Sequence, residues 1–218
     1  MSLPTPSVQS DRNPWLDIPS AEYLAHMQSP DVAQSGVLAE LFGIALRTAQ
    51  PESLLLLGCG TGNGLSTVDD RVTKRVTCID INPAYLSELA TRYPAPGHDR
   101  SLIEMDLNRG ELPPGPFHLV HAPFVLEFLD WRPLVPRIAA VLAPSGHFTV
   151  VIQRESRTVA ARTATPYFTL RRLDALFAYV DPLDLGAVAS DSGLMLAAQR
   201  DVSLPRQKSF SLLTFTRA

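Results

Sequence analysis

Short apolar runs alternate with amphipathic segments along the middle of the chain. Five such runs, each bounded by Gly, Pro or polar residues, occupy 53–58, 75–80, 101–106, 117–122 and 147–153. Unbroken apolar runs of this length are typical of strands buried on both faces of a parallel sheet. Segments with helical periodicity lie between them, and one of these, at 83–93, begins with a proline. The alternation predicts a Rossmann-like, doubly wound α/β sheet with helices on both faces.

The two ends of the chain follow other patterns. Residues 19–50 are predicted to form two helices, and 167–180 an amphipathic helix. The runs at 194–205 and 208–217 read as neighbouring strands joined by a short turn, which most simply pair antiparallel. The sheet is therefore predicted to have seven strands, mostly parallel, with an antiparallel edge strand. Proline-rich residues 1–18 are predicted to be a flexible tail, and 19–218 a single domain.

Composition narrows the class of protein. The chain has 218 residues, of which 45% are hydrophobic, and a net charge of −3. This charge gives no electrostatic reason to expect nucleic acid or an anionic membrane as a partner. Two cysteines without a metal-site spacing, and no apolar run of membrane-spanning length, favour a metal-free protein of the cytoplasm. A monomer and a homodimer both remain open.

A glycine-rich loop follows the first apolar run. Residues 58–64 read Gly-Cys-Gly-Thr-Gly-Asn-Gly. The dinucleotide fingerprint G-x-G-x-x-G fails in both possible registers, and no Gly-Lys-Ser/Thr of a phosphate-binding P-loop follows. The second and third runs end on Asp80 and Asp106. The carboxyl ends of parallel strands meet at one edge of a sheet, where open α/β proteins bind their ligands, so both acids are candidates for ligand binding.

The loop, the two acids and the sequence FHLVHAPFVLEFL at 117–129 together resemble class I S-adenosylmethionine-dependent methyltransferases over residues 34–217. This resemblance implies S-adenosylmethionine as the cofactor. It also implies that the loop contacts the methionine and ribose, that the acid at 80 binds the ribose hydroxyls, that the residues at 81, 106 and 107 contact the adenine, and that the histidine at 121 contacts the methionine. The implied cofactor residues are Gly58, Cys59, Gly60, Asp80, Ile81, Asp106, Leu107 and His121.

Three positions depart from the pattern of the resembled family. An acid that helps to hold the cofactor's amino group is commonly found where this chain has Leu56, and His118 stands where Asp is common. The Asn/Asp-Pro-Pro-aromatic tetrapeptide of nucleic-acid amino methylation is replaced by residues 121–124, which read His-Ala-Pro-Phe. The last departure favours a small-molecule acceptor over a nucleic acid base.

Methyl transfer by in-line displacement needs alignment and exclusion of water, and a general base only where the acceptor carries a proton. His26 and Glu127 are the candidates for a base. The candidates for contact with the acceptor are Tyr23, Gln153, Arg154 and Tyr167, although packing or surface roles explain each of these residues equally simply.

The predicted domain has three parts. Residues 19–50 cover the cofactor cleft, 51–153 bind the cofactor, and 154–218 supply the acceptor side and the last two strands. The predicted function is methyl transfer from S-adenosylmethionine to a small molecule. The alternative is a protein that binds S-adenosylmethionine or S-adenosylhomocysteine without catalysis, and the failed fingerprint disfavours a nicotinamide oxidoreductase.

Overall fold

The structure of the protein is a computed structural model. It describes residues 12–62, 64–94, 97–156 and 160–217. These residues form a seven-stranded sheet flanked by helices. The strands are β1 Ser53–Leu57, β2 Arg75–Asp80, β3 Asp99–Glu104, β4 Phe117–Pro123, β5 Leu142–Gln153, β6 Leu194–Ser203 and β7 Ser209–Arg217. The α-helices are α1 Ser20–Gln28, α2 Gln34–Ala49, α3 Pro83–Arg92, α4 Leu134–Val141 and α5 Pro182–Asp191. Among the described residues, no helix is both long enough and apolar enough to span a membrane.

The strand order is β3-β2-β1-β4-β5-β7-β6. Strands β1 to β5 are parallel to one another, whereas β7 is antiparallel to both β5 and β6. The predicted doubly wound sheet is confirmed, and its antiparallel strand lies one place inside the edge strand β6. From β1 the chain goes to β2 on one side and later to β4 on the other, which opens a crevice at the carboxyl end of β1.

The central strand β1 is buried along its whole length. Its alternate leucines face opposite sides of the sheet, as the two-residue period of a strand requires. Leu55 and Leu57 pack in the core beneath α4 and α5, and Leu54 and Leu56 pack in the core beneath α2 and α3. Burial on both faces explains why four consecutive leucines precede the glycine loop.

The region after β5 differs from the sequence prediction. Instead of an amphipathic helix over 167–180, the chain forms a short 3-10 helix at Thr169–Ala175 and then α5. Leu170 and Leu173 are buried against the N-terminal segment and not against the sheet. The helix that covers the sheet begins later, where the Asp181 side chain accepts a hydrogen bond from the Leu183 amide and a proline occupies the first helical position. This Asp-Pro start signal is visible in the sequence.

The last residues of the predicted tail are part of the fold. Residues Pro14–Asp17 form a 3-10 helix, and Ile18 is only 1% exposed. The Asn82 amide donates hydrogen bonds to the carbonyls of Trp15, at 2.8 Å, and Ile18, at 3.3 Å. The prediction of a flexible tail is therefore wrong for residues 12–18, and residues 1–11 lie outside the described residues.

Candidate active site

A cavity of about 350 Å³ opens at the carboxyl ends of β1, β2 and β4. The glycine loop, the ends of the strands and the N-terminal helices all contribute to its wall, as the sequence predicts. Eight residues singled out in the sequence line it: Gly58, Gly60, Asp80, Ile81, Asp106, Leu107, Tyr23 and His26.

The glycine loop passes the cavity at positions where a side chain does not fit. Gly58 and Gly60 have φ values of +65° and +52°, a backbone region that L residues with a Cβ rarely adopt. A Cβ on Gly58 would lie 2.6 Å from a methyl group of Val125, and one on Gly60 would lie 3.0 Å from the Tyr23 hydroxyl. Glycine at these two positions therefore keeps the backbone open to a ligand in the cavity.

Asp80 ends β2 beside this loop. One carboxylate oxygen accepts from the Gly60 amide at 2.8 Å, and the other accepts from the Asn82 amide at 2.9 Å. A carboxylate oxygen has two acceptor sites, so each keeps one for a ligand. Burial raises the pKa of Asp80 to about 6, against the lowering effect of the backbone hydrogen bonds. The carboxylate is thus fixed in place and is charged at neutral pH.

The next strand ends close by. β3 stops at Glu104, two residues before the predicted end, so Asp106 lies in the turn that follows. Its carboxylate accepts from the Asn108 amide at 3.0 Å, and the carbonyl of Leu107 accepts from Arg137 at 3.0 Å. These bonds hold the turn beside Ile81, and all three predicted adenine contacts line one end of the cavity.

The N-terminal residues cover the cavity with aromatic rings. Tyr23 on α1 stacks on Tyr85 of α3, with ring centroids 5.0 Å apart, and Trp15 meets both rings edge to face. Trp15 and Tyr85 line the cavity but were not predicted as site residues. The buried Tyr85 hydroxyl has no hydrogen-bond partner among the described residues. Tyr85 could have been predicted from its position, because it lies in the first turn of α3, four residues after Ile81.

A second group of rings lines the part of the cavity beyond β4. Phe124, Phe128 and Phe177 contact one another with centroids 5.6–6.3 Å apart, and Phe128 also meets Trp15 at 5.1 Å. We call the lining formed by Trp15, Phe124, Phe128, Leu170, Leu173 and Phe177 the aromatic lobe. The lobe combines three segments that are far apart in sequence, so no local sequence motif predicts it.

Polar groups lie at the rim of this lobe. Arg162 lines the cavity and pairs with Asp174, with nitrogen–oxygen distances of 2.7 and 2.9 Å. His26 is 9% exposed, and burial, together with the charges of Arg162 and Lys208, lowers its pKa to about 4. His26 is therefore a neutral imidazole at pH 7, with capacity to accept a proton.

Two predicted cofactor residues do not line the cavity. Cys59 is buried in the core beneath α2 and α3, and its thiol lies 3.6 Å from the Gly60 carbonyl. His121 is fully buried, stacks on Phe42 with centroids 4.7 Å apart and hydrogen-bonds Thr149 at 2.8 Å. Burial lowers the pKa of His121 to about 3. His121 lies within β4 under Phe42 of α2, and the cavity is lined by the residues at and after the end of the strand, Pro123, Phe124 and Val125.

Glu127 and Gln153 also lie outside the cavity lining. A Glu127 oxygen accepts from the Gln153 amide at 2.7 Å, and the other oxygen has no partner among the described residues. Burial raises the pKa of Glu127 to about 8, so it is mainly protonated at pH 7. The Gln153 side chain donates to the Ala161 carbonyl at 2.9 Å. Both residues therefore support the chain around the cavity. The structure places neither the predicted base Glu127 nor the predicted acceptor contact Gln153 in the cavity lining.

The remaining acceptor-side predictions are also corrected by position. Arg154 is exposed and pairs with Asp201 at 3.1 Å, on the surface of the last strands. Tyr167 packs with Ile18 and Leu170 and is not part of the cavity lining. His118 hydrogen-bonds Ser53 at 2.8 Å, at the opposite end of the sheet from the cavity, which makes it a structural residue.

Comparison with known proteins agrees with this architecture. Residues 54–146 match the family model described as a methyltransferase domain. This range runs from the first residues of β1 through the glycine loop, both acids and β4. Over this range the resemblance to methyltransferases is therefore confirmed. A search of curated protein sequences finds no match.

Solved structures show the same fold at low sequence identity. The N-methyltransferase NodS from Bradyrhizobium japonicum WM9, in complex with S-adenosylhomocysteine, has a TM-score of 0.68 and 17% identity, covering 91% of this chain and 97% of its own. A 1,6-didemethyltoxoflavin-N1-methyltransferase from Burkholderia thailandensis has a TM-score of 0.65 and 15% identity, covering 91% and 87%. The [4+2]-cyclase SpnF is similar as well, with a TM-score of 0.65 and 15% identity over 83% and 80%. A cyclase among these structures means that the fold alone does not specify methyl transfer.

Proposed function

We propose that this protein is a cytoplasmic methyltransferase that transfers the methyl group of S-adenosylmethionine to a small apolar acceptor. The observation that carries the proposal is the glycine loop facing a fixed carboxylate. Gly58 and Gly60 leave no room for a Cβ, and Asp80 keeps free acceptor sites beside them. Both cysteines are buried free thiols, in keeping with a reducing compartment.

The residues present fit an adenosyl cofactor. Asp80 would accept from two ribose hydroxyls, because charged acceptors form the stronger hydrogen bonds. Ile81 and Leu107 offer apolar surface to the adenine, and the Asp106 carboxylate lies at the same end of the cavity. The cofactor, when bound, supplies an activated methyl group. The protein must then align the acceptor and keep water out.

The aromatic lobe supports an acceptor that is small and apolar. Four aromatic rings and two leucines surround this part of the cavity, and a planar apolar molecule would bury its faces against them. Residues 160–163 and 170–177 cover the lobe, and the Asp17–Arg172 ion pair joins them to the N-terminal segment at 3.0 Å. This covering favours a small molecule over a macromolecular acceptor.

His26 is the side chain we assign to proton acceptance. It lines the cavity, and it is neutral above about pH 4. A neutral imidazole accepts a proton from a hydroxyl as its oxygen attacks the methyl, or from the ammonium that forms after the lone pair of a neutral amine has attacked. The Arg162–Asp174 pair beside it offers hydrogen bonds that orient a polar group of the acceptor.

The test is binding followed by turnover. S-adenosylhomocysteine should bind the purified protein in calorimetry, and NADH should not. Labelled S-adenosylmethionine, supplied with a panel of aromatic and aliphatic hydroxyl and amine compounds, should then label an aromatic member. Binding without transfer to any compound would favour the alternative of a non-catalytic binding protein. Tight NADH binding without S-adenosylhomocysteine binding would refute the proposal.

A further inference from the structure

The sequence left unanswered what holds the cofactor's amino group when Leu56 replaces the acid of the resembled family. Leu56 is 1% exposed and packs in the core beneath α2 and α3, so it has no access to the cavity. Cys78 and His121, which lie beside Leu56 on the neighbouring strands, are buried as well and cannot replace the acid. The group that replaces the acid must therefore come from another element.

The N-terminal end of α2 reaches the cavity. Gln34, the first residue of the helix, and Leu38, one turn later, both line it. Ala33 at the N-cap is in the left-handed region, with φ at 49°, and no side chain caps the helix. The first N–H groups of a helix have no partner within it, and the end carries a partial positive charge. An uncapped end of this kind favours an anionic group.

Gln34 adds a second and independent feature. The residue is only 6% exposed and lines the cavity, and within the described part of the chain its side-chain amide has no hydrogen-bond partner. A buried amide without a partner is costly, and such groups in native proteins are usually satisfied by protein, water or ligand. The neighbouring Ser35 hydroxyl is also buried without a partner among the described residues. This end of α2 thus holds orphaned polar groups beside a ligand cavity.

The direction of the cofactor places its amino-acid part at this end. Ile81, Asp106 and Leu107 line the adenine end, and Asp80 takes the ribose between that end and the glycine loop. Beyond the glycine loop the lining includes residues of α1 and α2, among them Tyr23 beside Gly60, and we place the methionine part on this side.

We infer, on the basis of the proposed function, that Gln34 and the N-terminal end of α2 bind the amino-acid part of the cofactor in place of the missing acid. The Gln34 amide oxygen accepts from the ammonium group, and the first N–H groups of α2 face the carboxylate. An amide acceptor and a helix end complement both charges of an amino acid without placing a charged side chain in the cavity.

The experiment compares two ligands on one variant. S-adenosylhomocysteine carries the amino-acid part and methylthioadenosine lacks it. The change Gln34→Met keeps the length of the side chain and removes its polar atoms. We expect it to weaken S-adenosylhomocysteine binding in calorimetry by about 10-fold and to leave methylthioadenosine binding within about twofold. Gln28→Met, at the exposed end of α1, is the matched control and should change neither affinity.

If both ligands lost affinity equally, or if S-adenosylhomocysteine lost none, the assignment would be overturned. Gln34 would then contact the acceptor or serve only in packing. A measurement on the unmutated protein does not depend on the folding of the variant. The unmutated protein should bind S-adenosylhomocysteine with about 10-fold higher affinity than its deaminated analogue, and equal affinities would overturn the inference. If the unmutated protein bound no S-adenosylhomocysteine at all, the proposed function itself would fail.

Discussion

The two sides of the cavity are built in different ways. The cofactor side consists of backbone and short loops at the ends of buried parallel strands, where Asp80 and the glycine loop are fixed by amide hydrogen bonds. The acceptor side consists of side chains on 3-10 helices and connecting segments, joined by contacts such as Asp17–Arg172 and Glu22–Thr169. The difference implies that the cofactor side is rigid and intolerant of change, and that the acceptor side depends on a network of replaceable contacts.

The strongest test of rigidity is Gly58→Ala. The added methyl group would lie 2.6 Å from Val125 in a backbone conformation with positive φ. Because the loop has to move to accept it, we expect S-adenosylhomocysteine affinity to fall by roughly 100-fold in calorimetry. Gly186→Ala in α5 has no neighbouring atom within 4 Å of the new methyl group and should leave the affinity unchanged. Normal binding by Gly58→Ala would show that the cofactor side is as tolerant as the other.

Asp80→Asn should have the next largest effect. The amide has one acceptor oxygen for two backbone N–H groups and loses the negative charge, so S-adenosylhomocysteine affinity should fall by about 10- to 100-fold, or about 1.5–3 kcal/mol. Asp99→Asn, at the exposed start of β3, is the control. In the unmutated protein, affinity should be full above pH 7 and should decline as the pH falls through about 6, where Asp80 takes up a proton. A calorimetric affinity that is constant from pH 5 to pH 8 would contradict the ribose assignment.

The same difference between the two sides explains what could be predicted from the sequence. The glycine loop, Asp80 and Asp106 lie at fixed distances from apolar runs, so a strand pattern alone places them at one edge of the sheet. The adenine contacts at Ile81 and Leu107 were implied only by the family resemblance. The side chain of His121 is outside the cavity because it lies two residues before the end of β4, where Phe42 of α2 covers it, and the cavity lining begins only at Pro123.

The aromatic lobe could not be predicted in this way. Trp15, Phe124, Phe128 and Phe177 converge only after the N-terminal segment and the 160–177 region have folded over the sheet. Each ring on its own is equally well explained by packing. The Asn82 hydrogen bonds that hold the N-terminal segment join residues 64 to 67 positions apart, and such a contact leaves no periodic signal.

The next prediction concerns Glu127, which is buried next to the acceptor side but does not line the cavity. Its pKa is raised to about 8 by burial, so the folded protein keeps a proton that the unfolded chain releases above about pH 4.5. Stability contributed by this group therefore falls as the pH rises from about 4.5 to about 8. Glu127→Gln keeps the oxygen that accepts from Gln153 and removes the charge. We expect the variant to be more stable than the unmutated protein by roughly 1–3 kcal/mol at pH 8, in urea unfolding, and to show no such gain at pH 4.

The activity of Glu127→Gln separates support from catalysis. Because Glu127 does not line the cavity, kcat should remain within about threefold at pH 7. Suppose instead that activity fell by two orders of magnitude while the affinity for S-adenosylhomocysteine stayed unchanged. Glu127 would then be the general base, and the acceptor site would include Glu127 and its partner Gln153 at the end of β5.

The smallest expected effect comes from Asn82→Asp, which separates two functions of one side chain. The Asn82 oxygen caps α3 by accepting from Ala84 at 2.9 Å, and its amide donates to the carbonyls of Trp15 and Ile18. Aspartate keeps the cap, loses both donated bonds, each worth about 1 kcal/mol, and sets a carboxylate oxygen against the two carbonyls. We expect α3 to keep its amide protection in hydrogen exchange, residues 13–18 to lose theirs, and the acceptor KM to rise several-fold with S-adenosylhomocysteine affinity nearly unchanged. Asn82→Ala removes the cap as well and should also expose α3. Unchanged hydrogen exchange at residues 13–18 in Asn82→Asp would mean that the packing of Trp15 and Ile18, and not these hydrogen bonds, holds the N-terminal segment over the cavity. This segment would then be as rigid as the cofactor side.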